Sequence, residues 1–262
     1  MKSVQYWTDF FIHIVHCTIN TMRQLLAIFF FWVATIMVLG CSGNDTPPSG
    51  DNNLIDVQQI NLANESLLRE AKKMIQTGDL VLRKGNDFSS DQVRSMSKED
   101  KTYSHAGIAF VKGDSVLVYH VEPDFYYIND KVRKENIDSF FNRAHNTEFA
   151  VARFKLDSIE TKVLLNYLED RYQEKVAFDM GFDLKSDDKM YCSEMIKKGL
   201  AKATNNRITI EVQRMNDKSK YKIIKQYFKL QEKQFVNREI IPIDRLYLNP
   251  SCTIIKRFTY QQ

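Results

Sequence analysis

Tyr191-Cys192-Ser193-Glu194-Met195-Ile196-Lys197-Lys198-Gly199-Leu200 is the stretch that decides the fold. Its apolar residues at 195, 196, 199 and 200 share one face at helical spacing, so a helix is expected to start near Cys192 and bury that face. A cysteine at a helix start is placed for chemistry. Unpaired N–H groups and the helix dipole favour the thiolate, whose pKa falls from about 8.5 to roughly 3.5–7.5 in such settings. The same N–H groups could hold the oxyanion of a tetrahedral intermediate.

Outward from that helix, the upstream chain reads as strands. Ala106–Val111 and Ser115–Val121 flank Lys112-Gly113-Asp114, a turn signal, and together predict a hairpin with His105 at its entry. Leu80–Arg83 opens after Gly78-Asp79 as a short strand, and Glu148–Phe154 is another. Asp157 followed by Glu160 has the form of a capping box, and Ile159, Val163, Leu164, Tyr167, Leu168 and Tyr172 then fall at helical spacing as core. Leu54–Gln76 predicts a leading helix with a potential break near Asn64, and polar residues 84–102 predict a long surface loop. Ile240–Asp244 and a strand over Cys252–Arg257 return the chain to the core. Strands followed by a cysteine-bearing helix give an α+β plan.

The amino terminus points outside the cytoplasm. Leu25–Leu39 is a charge-free run between Arg23 and Gly40-Cys41, short for a spanning helix and suited to a secretory signal. Val38-Leu39-Gly40-Cys41 resembles the lipobox of bacterial lipoproteins, which makes Cys41 the acylated first residue of the mature chain and residues 1–40 the signal. The alternative is an uncleaved membrane anchor. Met22 would start a signal of ordinary length, so His13, His16 and Cys17 are set aside. Residues 41–53 read as a flexible tether and 54–262 as a single domain. Within it, residues 204–239 form a basic insertion, a solvated helical face or a surface for anionic lipid or cell-wall polymer. The net charge of +4 is too small a bias to suggest nucleic acid. No nucleotide or metal motif is visible, and no cofactor is expected.

Two thiols then remain, Cys192 and Cys252. Outside the cytoplasm they could pair, leaving a non-catalytic binding lipoprotein. As an enzyme, the chain needs a base. His145 sits in a polar loop, whereas His105 and His120 fall on the predicted hairpin.

Gly78-Asp79-Leu80-Val81, Tyr103-Ser104-His105-Ala106-Gly107-Ile108, Val121-Glu122 and Tyr191-Cys192-Ser193-Glu194 occur in that order. This pattern resembles the permuted papain-like amidases of the YiiX/YaeF type, relatives of NlpC cell-wall peptidases and of lecithin-retinol acyltransferases. It spans roughly residues 77–202, with Pro242–Lys256 resembling the closing segment. The resemblance implies a circularly permuted papain-like fold with Cys192 as nucleophile, His105 as general base and Glu122 as the acid that orients the imidazole. His120 lies two residues before Glu122 and could reach His105 from the same strand face, while Pro123 ends the strand where the family usually has a small residue. The segment Phe178–Phe182 either lines the pocket or packs; Tyr103 and Tyr191 are expected to pack, with substrate binding or oxyanion donation as the alternative, and Asp79 to serve its turn, with an approach to the active site as the alternative. The expected function is an exported, membrane-anchored cysteine amidase or peptidase acting on cell-wall peptides. A lipid N-acyl or ester hydrolase or an acyltransferase is the alternative on the same scaffold.

Overall fold

Alternation along the strands is what builds two cores here. In the computed structural model, which describes residues 51–123, 130–215 and 238–262, β1 (Leu80–Gly85) sends Leu80 and Leu82 to one face and Val81 to the other. The hairpin forms as expected from β2 (His105–Lys112) and β3 (Ser115–His120), joined through Gly113 at a φ of 59°. With β4 (Arg133–Asn136), β5 (Asn146–Phe154) and β10 (Cys252–Thr259) they make one antiparallel sheet in the order β10-β5-β1-β2-β3-β4. Two-residue strands, β6 (Ala177–Phe178) with β7 (Lys189–Met190) and β8 (Gln213–Arg214) with β9 (Glu239–Ile240), lie outside it.

Both faces of the sheet are covered, which is why β2 reads as a nearly unbroken apolar run. One face carries Leu82, Ala106, Ile108 and Ala152 against α4 (Ser158–Gln173) and α5 (Cys192–Ala203), which supply Leu164, Leu168, Met195, Ile196 and Leu200. The other carries Val81, Ala109, Val118 and Val151 against Ala71 and Ile75 at the end of α1 (Asp51–Met74) and against α3 (Ile137–Phe140). A one-turn helix, α6 (Asp244–Tyr247), precedes β10.

The capping box of α4 forms in full: Asp157 accepts from the N–H groups of Ile159 and Glu160, and Glu160 accepts from that of Asp157. Three expectations are corrected. Residues 84–102 are not all loop, because α2 (Phe88–Met96) forms there, capped by Asp87, which accepts from Ser90 N–H. Only Met96 of that helix is buried, so its apolar pattern was too sparse to register. Ile159 is not core; it is 73% exposed in the first turn of α4. The leading helix runs unbroken through Asn64, whose side chain both donates to Gln261 O and accepts from Gln261 N–H.

Residues 53–262 form one compact unit. The leader, Cys41 and most of the tether lie outside the described residues, as do the lysines at 218, 220, 222, 225, 229 and 233 of the basic segment.

Candidate active site

Cys192 is the first residue of α5, with Tyr191 as its cap and Glu194 closing the turn by accepting from Tyr191 N–H at 3.3 Å. It is buried among the residues under α5, and both it and Cys252 are free thiols. The Cys192–Cys252 pairing considered for a non-catalytic binding lipoprotein is not formed. The helix start does not lower the Cys192 pKa as expected. Burial, aided by the charge of Glu122, pushes it up to about 11, outweighing the N–H groups of Ala106 and Ser193 and the nearby Arg83, which pull the other way. At rest the nucleophile candidate is therefore a neutral thiol held against the backbone of β2.

The histidines are organised by strand register. Arg83 on β1 faces His105 on β2, and His120 on β3 faces Arg133 on β4. Between the two histidines, Gly107 leaves room that a side chain would fill, since a Cβ there would come within 2.4 Å of Val118 Cγ1 and 3.2 Å of His120 Cβ. His105 Nε2 and His120 Nδ1 consequently meet at 2.9 Å. Phe140 of α3 packs on both rings and lies under the Arg83 guanidinium. His120 is fully buried, and its Nε2 comes within 2.9 Å of Glu135 Oε1, close enough for charge but without the alignment of a good hydrogen bond.

Glu122 lies at the same cluster but is held differently. Arg83 binds one carboxylate oxygen and Arg133 the other, the latter at 3.1 Å, while His105 Nε2 stays 3.9 Å away. Of the two candidates for orienting His105, His120 is thus the one in hydrogen-bond contact. Burial, then Arg83, His120 and Arg133, hold the His105 pKa well below the usual imidazole value. Burial works against ionisation of Glu135, but His120, Arg83 and Arg133 together bring its pKa below the ordinary carboxylate value.

Cys192 and His105 are neighbours through Ala106, whose N–H faces the thiol. No hydrogen bond joins the thiol to the imidazole among the described residues. The reason is again alternation: Ala106 faces α5, whereas His105 packs on Phe140, which belongs to the cluster on the other side of the sheet.

The remaining residues singled out in the sequence have structural work. Asp79 accepts from Arg153 through both oxygens and from Gln76 N–H. Tyr103 accepts from Arg257 and meets Tyr247 edge-on. Asp179 accepts from Gly181 N–H and lines an open cavity of about 300 Å³ with Asp130, Lys131 and Lys189. His145 is exposed in its loop. Two groups escaped sequence reading: Glu135, because β4 is four polar residues with no apolar pattern, and Arg83, because a strand's register is not written in its own residues.

His105, His120 and Glu122, grouped in the sequence as candidates for catalysis and not for metal binding, offer three ligand atoms within 4.8 Å of one another.

A family profile described as permuted papain-like amidase enzyme, YaeF/YiiX, C92 family, matches residues 74–239. Among solved structures, the crystal structure of metalloprotein YiiX from Escherichia coli O157:H7 is similar with a TM-score of 0.56 and 17% identity, covering 70% of this chain and 98% of that one. No curated protein sequence matches.

Proposed function

Because the chain belongs to the permuted papain-like amidases of the YaeF/YiiX type, we propose that it is a cysteine amidase working through an acyl-enzyme at Cys192. The observation that carries this is the seat of Cys192 at the start of α5, against the backbone of Ala106 and one residue from His105.

In this mechanism the thiol and the imidazole both start neutral. Glu135 favours the proton on His120 Nε2, so His120 Nδ1 accepts, and His105 Nε2–H donates to it. That assignment leaves the lone pair on His105 Nδ1, the form a general base requires. The mechanism requires substrate binding to turn the His105 ring off Phe140, at the start of β2, toward the thiol, since the two groups face opposite sides of the sheet in the free protein. His105 Nδ1 takes the proton as sulfur attacks the amide carbonyl, and the N–H groups at the start of α5 stabilise the oxyanion. The protonated His105 gives its proton to the leaving amine, then activates water to hydrolyse the thioester. Glu122 acts at longer range, neutralising Arg83 and Arg133 beside the base.

The lipobox-like Val38–Cys41 and the apolar run before it support an exported protein anchored through Cys41, and that address favours peptide amides of the cell wall as substrates. No described helix is long and apolar enough to cross a membrane. The test is turnover of a panel of cell-wall peptides and acyl amides by wild type, Cys192→Ala and His105→Ala. Each substitution is expected to remove at least about 10³-fold of the rate. Activity surviving either one would overturn the mechanism. For the anchor, fatty-acid labelling of cells should disappear in Cys41→Ser.

A second reading comes from the solved relative's description as a metalloprotein and from the His105, His120 and Glu122 grouping. Two histidines and a carboxylate are a suitable donor set for a transition metal. As arranged here they do not fit one, because both oxygens of Glu122 are engaged by guanidinium groups and the two imidazole nitrogens are bonded to each other. A divalent ion would add charge beside two buried-side arginines. Elemental analysis decides between the readings: a stoichiometric ion whose removal abolishes turnover would displace the cysteine mechanism.

A further inference from the structure

Tyr191 and Ser193 flank the thiol on either side, and both are buried. Their hydroxyls converge on the backbone of one residue far along the chain. Ile241 donates its N–H to Tyr191 Oη at 2.9 Å, and Ser193 Oγ donates to Ile241 O at 2.5 Å. Ile241 follows directly on β9, whose Ile240 pairs with Gln213, so its backbone is itself held in place. In a sheet, a residue's N–H and C=O bond a neighbouring strand; here two side chains take the place of that strand. The third neighbour of the thiol, Glu194, closes the helix turn instead.

We infer that Tyr191 and Ser193 are positioning residues for Cys192, gripping the backbone of Ile241 on both sides of its Cα so that the sulfur stays buried at the start of α5 against Ala106. This rests on Cys192 being the nucleophile. A residue that acts by holding another should alter the thiol's presentation without altering the fold, and the second free thiol, Cys252 on β10, provides an internal control.

The experiment measures iodoacetamide alkylation of Cys192 and Cys252 separately, by peptide mass, in the folded full chain of wild type, Ser193→Ala, Ser193→Thr and Tyr191→Phe. Turnover is followed on any amide the wild type cleaves. Releasing the grip should expose the thiol while spoiling its aim. The expected result is about tenfold faster alkylation of Cys192 in Ser193→Ala and Tyr191→Phe, a kcat about tenfold lower with KM unchanged, and Cys252 unaffected; tenfold corresponds to ~1.4 kcal/mol. Ser193→Thr, which keeps the hydroxyl, should behave as wild type. Unchanged Cys192 alkylation, or Cys192 and Cys252 rising together, would overturn the inference. If Ser193→Ala does not fold, Tyr191→Phe carries the test, since its ring keeps its packing on Phe182. Should wild type show no Cys192-dependent turnover, the nucleophile assignment fails while the alkylation comparison still judges the grip.

Discussion

A thiol whose pKa is pushed up to about 11 and an imidazole held below its usual value share one consequence: neither is charged near neutrality. The thiolate–imidazolium pair common at cysteine sites is absent at rest. Alkylation of Cys192 should therefore climb by about tenfold per pH unit from pH 7 toward pH 10, following the thiolate fraction. A rate that is flat across that range would mean a preformed ion pair. On the acid side, a base with a lowered pKa stays unprotonated as pH falls past 6.5, so the acid limb of kcat/KM should lie below that value. Glu135→Ala removes the charge that fixes the tautomer of His120, and kcat should fall about ten- to a hundredfold with KM unchanged, part of the 10²–10⁴ that acid–base catalysis supplies. Glu135→Asp, which keeps the charge, should recover part of the loss. At this scale the placement of Cys192 at a helix start and of His105 at a hairpin entry was legible, because both are local patterns, whereas their proposed roles came from the family resemblance. Glu135 and Arg83 were not, since their importance comes from which strands lie side by side.

Elements were legible where apolar spacing or capping chemistry marked them. The box at Asp157 and Glu160 predicted α4, and Lys112-Gly113-Asp114 predicted the hairpin, both as found. The polar helix α2 and the polar strand β4 left no such mark, since burial of Met96 alone, or of no residue fully, gives no periodicity to read. Gly107 shows how an element's interior serves the site. Its missing side chain lets β3 lie close enough for His120 to reach His105. Gly107→Ala would force a Cβ to within 3.0 Å of the Tyr119 carbonyl oxygen as well as against Val118, and overpacking of this kind costs about 1–3 kcal/mol. Urea unfolding should show that loss, with turnover falling further than the stability change explains. Wild-type activity in Gly107→Ala would detach the hairpin's close packing from catalysis.

Across the molecule, the sequence conveyed an α+β plan and its permuted papain-like form, but not the sheet order, because pairing of β1 with both β2 and β5 joins residues far apart in the chain. Long-range ion pairs hold that order. Arg153 on β5 reaches Asp79, just before β1, through both carboxylate oxygens, and Asp79 is almost wholly buried. Arg153→Met would strand that carboxylate, and loss of a buried charge's partner costs about 3–5 kcal/mol. A urea midpoint close to wild type would contradict this. The two-way bond between Asn64 of α1 and the backbone of Gln261 closes the described domain at its other end. Its N–H has the Asn64 side chain as acceptor, so deuterium should enter at Gln261 when the bond to α1 opens, and faster in Asn64→Ala. One amide near the carboxyl terminus thus becomes a clock for the opening of its contact with the helix nearest the proposed tether.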